Sequence, residues 1–327
     1  MMLARRLPAA GRPIRLSVQT LIPYVILLGL LLVLASQRSG EFSLDQLNLT
    51  TTEALTLILV AAGQTIVILV GGIDLSVGGI VSLTTVLAAT HFAPGGAHMI
   101  LWIVLLLLGG MAAGALNGLI ITRLGIQPII VTLASWSVWS GISLVILPAP
   151  GGIVPNSLMD LGNGFFAGLA NPVWFLLALI VAWALFVRTR LGTSLLAVGS
   201  STHGAHLGGV SVTGTLVAAY ALSGLLSAVA GLYLLTQTSG GSPIIGNDYI
   251  LPSIAAVAIG GARLTGGYAR LAGTIAGAFI LTVVTDVVTT LGLPGGWSIF
   301  VAGALLVLAI VLNEVSAIVV RWRARLA

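Results

Sequence analysis

The chain has 327 residues, of which 58% are hydrophobic and 6% are charged, and its thirteen basic and eight acidic side chains give a net charge of +5. So few charged side chains exclude a water-soluble domain and predict an all-α, polytopic membrane protein, because a soluble fold needs far more polar surface. The lack of cysteine excludes disulfides and thiolate metal sites, and the lack of lysine excludes a P-loop ATP site and a Schiff-base enzyme in this chain.

Ten apolar segments approach the roughly 20 residues that a helix needs to cross the hydrocarbon core. In chain order they are Leu16–Ser36, Ala54–Gly71, Ser76–Phe92, Met99–Thr122, Pro128–Leu147, Pro172–Val187, Val212–Thr236, Tyr249–Gly261, Leu271–Leu291 and Trp297–Val320. The eighth is short, as a half-helix would be, so nine or eleven spans are alternatives. We expect a single transmembrane domain over residues 16–320, preceded by a cytoplasmic segment 1–15 and followed by a cytoplasmic tail 321–327.

The charge distribution supports this topology. With the N-terminus in the cytoplasm, ten spans place twelve of the thirteen arginines inside and only Arg38 outside. The arginines stand in small groups at the ends of apolar runs, which is typical of membrane topology rather than of nucleic-acid binding. The basic start and apolar run ending in "VLAS" also fit a cleaved signal peptide. Because cleavage would upset the charge bias, we expect a retained first helix.

A lone acid interrupts the apolar sequence in "LVGGIDLSVGGIVSLTTVLAA", residues 69–89. One interpretation is local: Asp74 or Ser76 caps the next helix and the glycines allow a tight reversal. The other is functional, since irregular backbone at membrane depth is tolerated only where protein or a watery cavity covers it. The candidates for a translocation pathway or structural turn are Gly72, Asp74, Ser76, Gly78 and Asn117.

Small residues and acids inside later spans suggest further roles. Gly110, Gly114 and Gly118 are spaced for close helix packing in lipid. Asp286, together with Asp74 and Glu53 at a span edge, leaves an ion-coupled carrier open, although these are few groups for a proton relay. "GGIDLSVGG" (71–79) also resembles "GGARLTGG" (260–267), too short a match to predict a repeat.

Two segments between spans are long. The outer one, residues 148–171, ends in Asn171-Pro172, which predicts an N-cap followed by a proline at the first helical position. The inner one, residues 188–211, has an amphipathic centre that predicts a short helix on the membrane face, available to a cytoplasmic partner. His203 and His206 in this segment lack an accompanying carboxylate or cysteine, so we interpret them as solvated rather than as a metal site.

Four segments of the chain form a distinctive set in this order: "GGIDLSVGGIVSLTTVLAA" (71–89), "LNGLIITRLGIQPIIVTLAS" (116–135), "RTRLGTSLLAVGSSTHGAHLGGV" (188–210) and "SIAAVAIGGARLTGG" (253–267). Together they resemble the ribose/galactose-type inner-membrane permeases of bacterial ABC importers. Matching positions in the second and third segments are Asn117, Gly118, Arg123, Pro128, Thr132, Leu133, Arg190, Gly192, Ala197, Gly199, Ala205 and Gly209. The chain departs from the family pattern at Ser201, at Pro252 and at Thr285-Asp286.

The resemblance implies a type II ABC-importer-like permease, not itself an enzyme, that carries a monosaccharide or sugar-like solute across the bacterial inner membrane. It implies as partners an ABC ATP-binding subunit that holds ATP and magnesium, an extracytoplasmic solute-binding protein and a second permease subunit, identical or paralogous. It implies no cofactor in this chain. The ATPase-coupling residues would be Gly192, Ala197, Gly199, His203, Ala205 and Gly209. An importer of branched-chain amino acids or another small solute, and an ion-coupled carrier, are the alternatives.

Overall fold

A computed structural model describes residues 18–37, 43–92, 96–305, 307–308 and 311, and it confirms an α-helical fold. The helices are α1 (Val18–Gln37), α2 (Leu44–Leu69), α3 (Val77–His91), α4 (Gly96–Leu124), α5 (Pro128–Ile146), α6 (Asn156–Asn163), α7 (Asn171–Phe186), α8 (Arg190–Ser200), α9 (Thr202–Leu207), α10 (Val212–Thr238), α11 (Ile250–Ile259), α12 (Leu271–Thr290) and α13 (Gly296–Leu305). A 3₁₀ helix (Ile245–Tyr249) precedes α11. Within the described residues the only sheet is an antiparallel pair, β1 (Phe165–Phe166) and β2 (Leu169–Ala170).

Five described helices are long and apolar enough to cross a membrane: α2, α4, α5, α10 and α12. The pair α7 and α8, which is bent by 75°, would make a sixth if it were one span. The predicted count of about ten spans is not confirmed. The helices found at the third and eighth predicted spans, α3 and α11, have only 15 and 10 residues. Some predicted segments lie outside the described residues. These are the segment 1–15, the tail 321–327, the first two residues of the first predicted span, and most of the tenth predicted span after residue 305.

Helix α2 is the centre of the bundle. Every residue from Ala54 to Leu69 is buried, and α10, α11 and α12 pack around the helix. A helix that is apolar on all sides lies inside a bundle rather than at its surface. By contrast, only about a fifth of the most apolar stretch of α4 or α5 is buried, so these helices form the outer surface of the chain.

The contact between α4 and α10 depends on glycine. A Cβ added at Gly110 would lie 2.6 Å from the carbonyl oxygen of Gly224, and one at Gly118 would lie 2.6 Å from the Cα of Val217. A Cβ at Gly114 would overlap the carbonyl oxygen of Tyr220. The predicted role of these glycines in close helix packing is confirmed.

The two long segments are more structured than the sequence indicated. Residues 148–171 contain α6 and the β1–β2 hairpin, and residues 188–211 contain two helices, α8 and α9. Both predicted positions are off by one residue: the N-cap position belongs to Ala170 and not to Asn171, and Pro172 is the second residue of α7 rather than the first. The side chain of Asn171 instead donates to the carbonyl oxygens of Asp160 and Leu161.

Candidate functional site

α2 ends in a tight turn at Gly71 and Gly72. The amide of Gly71 donates to Ile68 O (2.9 Å) and that of Gly72 to Val67 O (3.0 Å), the paired bonds of a Schellman helix end. Gly71 has a φ of +80°, which a residue with a side chain rarely adopts. The predicted tight turn at these glycines is present.

Asp74 lies just beyond this turn and is completely buried. Its Oδ1 accepts hydrogen bonds from the backbone amide (3.0 Å) and the hydroxyl (2.5 Å) of Ser76, and its Oδ2 accepts one from the hydroxyl of Ser223 on α10 (2.8 Å). An isolated carboxylate is very costly to bury, and three donors offset part of that cost.

The hydrogen bonds continue from Asp74 to two further helices. The side-chain amide of Asn117 on α4 donates to Ser76 Oγ (2.9 Å), and its oxygen accepts from the hydroxyl of Ser135 on α5. We call Asp74, Ser76, Asn117, Ser135 and Ser223 the Asp74 network. It connects the start of α3 with α4, α5 and α10.

The structure brings three of the five predicted residues of this region together, namely Asp74, Ser76 and Asn117. Gly72 lies beside them, since a Cβ there would overlap the hydroxyl of Tyr220. Gly78 lies elsewhere, against Ile250 and the 3₁₀ helix.

The local bonding of Asp74 differs from helix capping. Ser76 occupies the N-cap position of α3 but makes no side-chain capping bond, and Asp74 bonds to Ser76 itself rather than to the first turn of α3. Both residues are fully buried. In this structure the carboxylate is closed to solvent and joins helices.

Two members of the network were not identified from the sequence: Ser135 and Ser223. The signal that could have found the serines is a small hydroxyl side chain inside an apolar span, a residue type that commonly bonds between membrane helices. Ser223 fits this pattern because it lies within α10 and its hydroxyl reaches a carboxylate 149 residues earlier in the chain.

The second group of predicted residues lies on α8 and α9. Thr189 and Ser201 cap these helices, accepting from the amides of Gly192 (3.1 Å) and Gly204 (3.0 Å). Because Ser201 both ends α8 and starts α9, the segment breaks into two helices where one was expected.

One face of α8 and α9 packs onto the bundle. Leu195, Val198 and Ala205 are buried, in a cluster that includes Ile66 and Leu69 of α2. Gly192 packs against the carbonyl of Phe186, and Ala197 is half-buried. His203 and Gly209 are exposed, as are His206 and Leu207, whose side chain is 74% exposed. The predicted residues thus divide into a buried face and an exposed end.

Gly199 lies at a close contact between α8 and the bundle. A Cβ there would overlap the carbonyl oxygen of Leu69, which also accepts a hydrogen bond from the amide of Gly267 (2.9 Å). Three backbones therefore meet at this point: the end of α2, α8 and the loop between α11 and α12. We call Leu69, Gly199 and Gly267 the backbone junction.

The loop after α11 repeats the turn after α2. Gly261 donates to Ala258 O (3.0 Å) and Ala262 to Val257 O (3.2 Å), and Gly261 has a φ of +83°. The short sequence similarity between 71–79 and 260–267 thus begins at two helix ends of the same geometry. The end of α2 and the loop that follows the α11 turn both contribute to the backbone junction.

Comparisons of the chain with protein-family models and with known proteins all match membrane permeases. Residues 47–310 match the family described as the permease component of branched-chain amino acid transport systems. The ribose import permease protein of Bacillus subtilis is 35% identical over 260 residues, which cover 78% of this chain and 80% of that protein. The autoinducer 2 import system permease protein LsrC of Photorhabdus luminescens is 32% identical over 298 residues, 90% of this chain and 89% of the relative. No solved structure matches.

Proposed function

The chain belongs to this permease family, and from that premise we propose that it is the membrane subunit of an ABC importer for a monosaccharide or sugar-like solute. The observation that carries the solute class is the relation to import permeases for ribose, 30–35% identical to this chain in Bacillus subtilis, Haemophilus influenzae and Escherichia coli. These similarities cover 78–89% of the chain. They therefore include both the Asp74 network and the α8–α9 segment.

The free energy for transport comes from ATP hydrolysis by a partner ATPase subunit, which holds ATP and magnesium. The chain has no lysine for a phosphate-binding loop of its own. The exposed end of α9, with His203, His206 and Leu207, is the contact for that subunit. A displacement of α9 would pass through α8 to the backbone junction, and from there to the turns that precede α3 and α12.

The Asp74 network would serve the pathway indirectly. Its bonds fix the turn before α3 against α4, α5 and α10, so that these helices move together when the ATPase changes state. Four helices joined by one buried hydrogen-bond network resist independent motion, because each broken bond leaves a charged or polar atom without a partner.

The remaining partners and the orientation follow from the family resemblance. A second permease subunit would complete the pathway, and an extracytoplasmic binding protein would deliver the solute. The arginine distribution supports a protein of the bacterial inner membrane with both termini in the cytoplasm.

Reconstitution tests the proposal. In proteoliposomes the chain should accumulate radiolabelled ribose only with its ATPase subunit, a binding protein and ATP. The chain alone, under a proton or sodium gradient, should accumulate nothing, and accumulation there would replace the importer with an ion-coupled carrier.

The family description favours one further solute class, branched-chain amino acids. Leucine uptake by the same complex, with no uptake of ribose or other monosaccharides, would exchange the sugar for this class and leave the importer mechanism intact. Competition by unlabelled sugars and amino acids separates the two.

A further inference from the structure

A cavity of about 420 Å³ opens between the ends of α2 and α7, the first half of α8 and the start of α12. Apolar side chains from all four helices line it, among them Ile66, Trp183, Leu195 and Ile275, and Arg270 is the one charged side chain among the described residues of its wall. This volume lies in the range of small-ligand sites, roughly 300–1,000 Å³. The lining offers almost nothing to hydrogen-bond a sugar, so the cavity is not suited to the proposed solute.

The border of the cavity is strongly basic. The guanidinium of Arg270 lies 5.3 Å from the centre of the Tyr268 ring, and Arg263 lies 6.0 Å from the same ring. Arg188 and Arg190 are exposed at the bend between α7 and α8, next to residues of the cavity wall. The one described acid near this end of the bundle, Asp74, is buried within its own network.

We propose that this cavity binds an anionic phospholipid of the inner leaflet, with an acyl chain among the apolar side chains and the phosphate beside Arg270. Basic pockets between membrane helices on the cytoplasmic side suit such headgroups, and tryptophan is enriched at this depth. The segment 1–17 fits poorly as an occupant, because it carries four arginines and no acid. The bound lipid would pack against the cavity-facing side of α8, beside the backbone junction.

The proposal uses the membrane orientation of the chain and not the identity of its solute. A direct test is photolabelling of the full-length chain in phosphatidylcholine nanodiscs with a phosphatidylglycerol that carries a diazirine on its acyl chain. Mass spectrometry of the peptides should place the label on α8 and the start of α12. Unlabelled phosphatidylglycerol should compete, and phosphatidylcholine should not.

Variants test the phosphate-binding part and the acyl-chain-binding part of the site separately. Arg270→Gln should weaken labelling at the cavity about fivefold, because one arginine typically increases the affinity for anionic lipid by about that factor. The control Arg123→Gln, at the exposed end of α4, should leave labelling unchanged. Ala272→Trp should block the acyl chain sterically and abolish labelling while Arg270 is retained.

Two outcomes would overturn the proposal. One is labelling spread over the exposed faces of α4, α5 and α7 and insensitive to Arg270→Gln. The other is loss of cavity labelling when the ATPase subunit is added, combined with weaker ATPase retention by Arg270→Gln, which would assign the arginine to a protein interface. Failure of ribose uptake in the reconstituted complex would not affect the labelling result.

Discussion

At the scale of single residues, Asp74 shows how an apolar bundle accommodates an acid. A charge within the membrane region costs free energy unless donors surround it. Here one donor comes from Ser223 on α10, and Ser76 supplies two. Because Ser76 also accepts from Asn117, the position of the acid depends on helices that are distant in the chain.

Replacing Asp74 with alanine should abolish ATP-driven uptake by the reconstituted complex or prevent its assembly. The change leaves Ser223 without its acceptor and frees the turn before α3. Asp74→Asn keeps the shape and one acceptor, so we expect an intermediate loss. Uptake rate and co-purification of the ATPase are the measurements, and a fully active Asp74→Ala importer would remove the residue from the site.

Replacing Ser223 with alanine tests the network without removing its charge. Oδ2 of Asp74 then loses its donor, and we expect a loss of about 1–3 kcal/mol in the stability of the bundle. Ser137→Ala is the matched control, because among the described residues that exposed hydroxyl bonds only to the carbonyl of Leu133 in its own helix. Thermal unfolding in mild detergent compares the two variants, and equal transition temperatures would contradict the expected role of Ser223.

The sequence predicted the acid side of this network better than the donor side. Asp74 and Ser76 stand out because polar residues and glycines interrupt an apolar run, and Asn117 belongs to a recognised segment. Ser135 ends that same segment and Ser223 lies outside the four segments, but neither stands out by residue type, since serine is common in membrane helices. Their partners follow from how α4, α5 and α10 pack, which local sequence does not specify.

At the scale of helices, the contact between α4 and α10 should be sensitive to a single methyl group. Gly114→Ala would force the helices apart at the Tyr220 carbonyl, and we expect a cost of roughly 1–3 kcal/mol. Gly109→Ala is the control on the same helix, because a Cβ there meets nothing within 4 Å. It should be neutral or stabilise by up to about 1 kcal/mol. The measurement is the thermal unfolding temperature of both variants. A Gly114→Ala protein as stable as Gly109→Ala would refute the tight contact.

Helix ends were predicted less well than helix existence. The sequence placed the second span from Ala54, whereas α2 begins at Leu44. Hydropathy misses these first residues because they are polar, yet Asn48 is buried and accepts a hydrogen bond from the amide of Ala170 (3.0 Å). Tertiary contacts with the β1–β2 hairpin therefore support a part of the helix that composition alone assigns to a loop.

At the scale of the whole molecule, the backbone junction is where the α8–α9 segment meets the bundle. Its members come from three distant parts of the chain, and each approaches as bare backbone or as glycine. The sequence identified Gly199 through its family segment but gave no indication of its contact with Leu69 and Gly267. Such contacts transmit displacement well, because no flexible side chain lies between the backbones.

Gly199→Ala should therefore separate ATP hydrolysis from transport. The added Cβ would overlap the carbonyl of Leu69 and come within 3.0 Å of the Gly267 amide, so α8 must shift away from the bundle. In the assembled complex we expect ATP hydrolysis to continue while the solute carried per ATP falls. Gly208→Ala is the control in the same segment, since its nearest neighbours, backbone oxygens of Ala205 and Gly204, lie at 3.4 Å. With ATPase retention verified for both variants, an unchanged ratio of uptake to hydrolysis in Gly199→Ala would show that motion reaches the spans by another route.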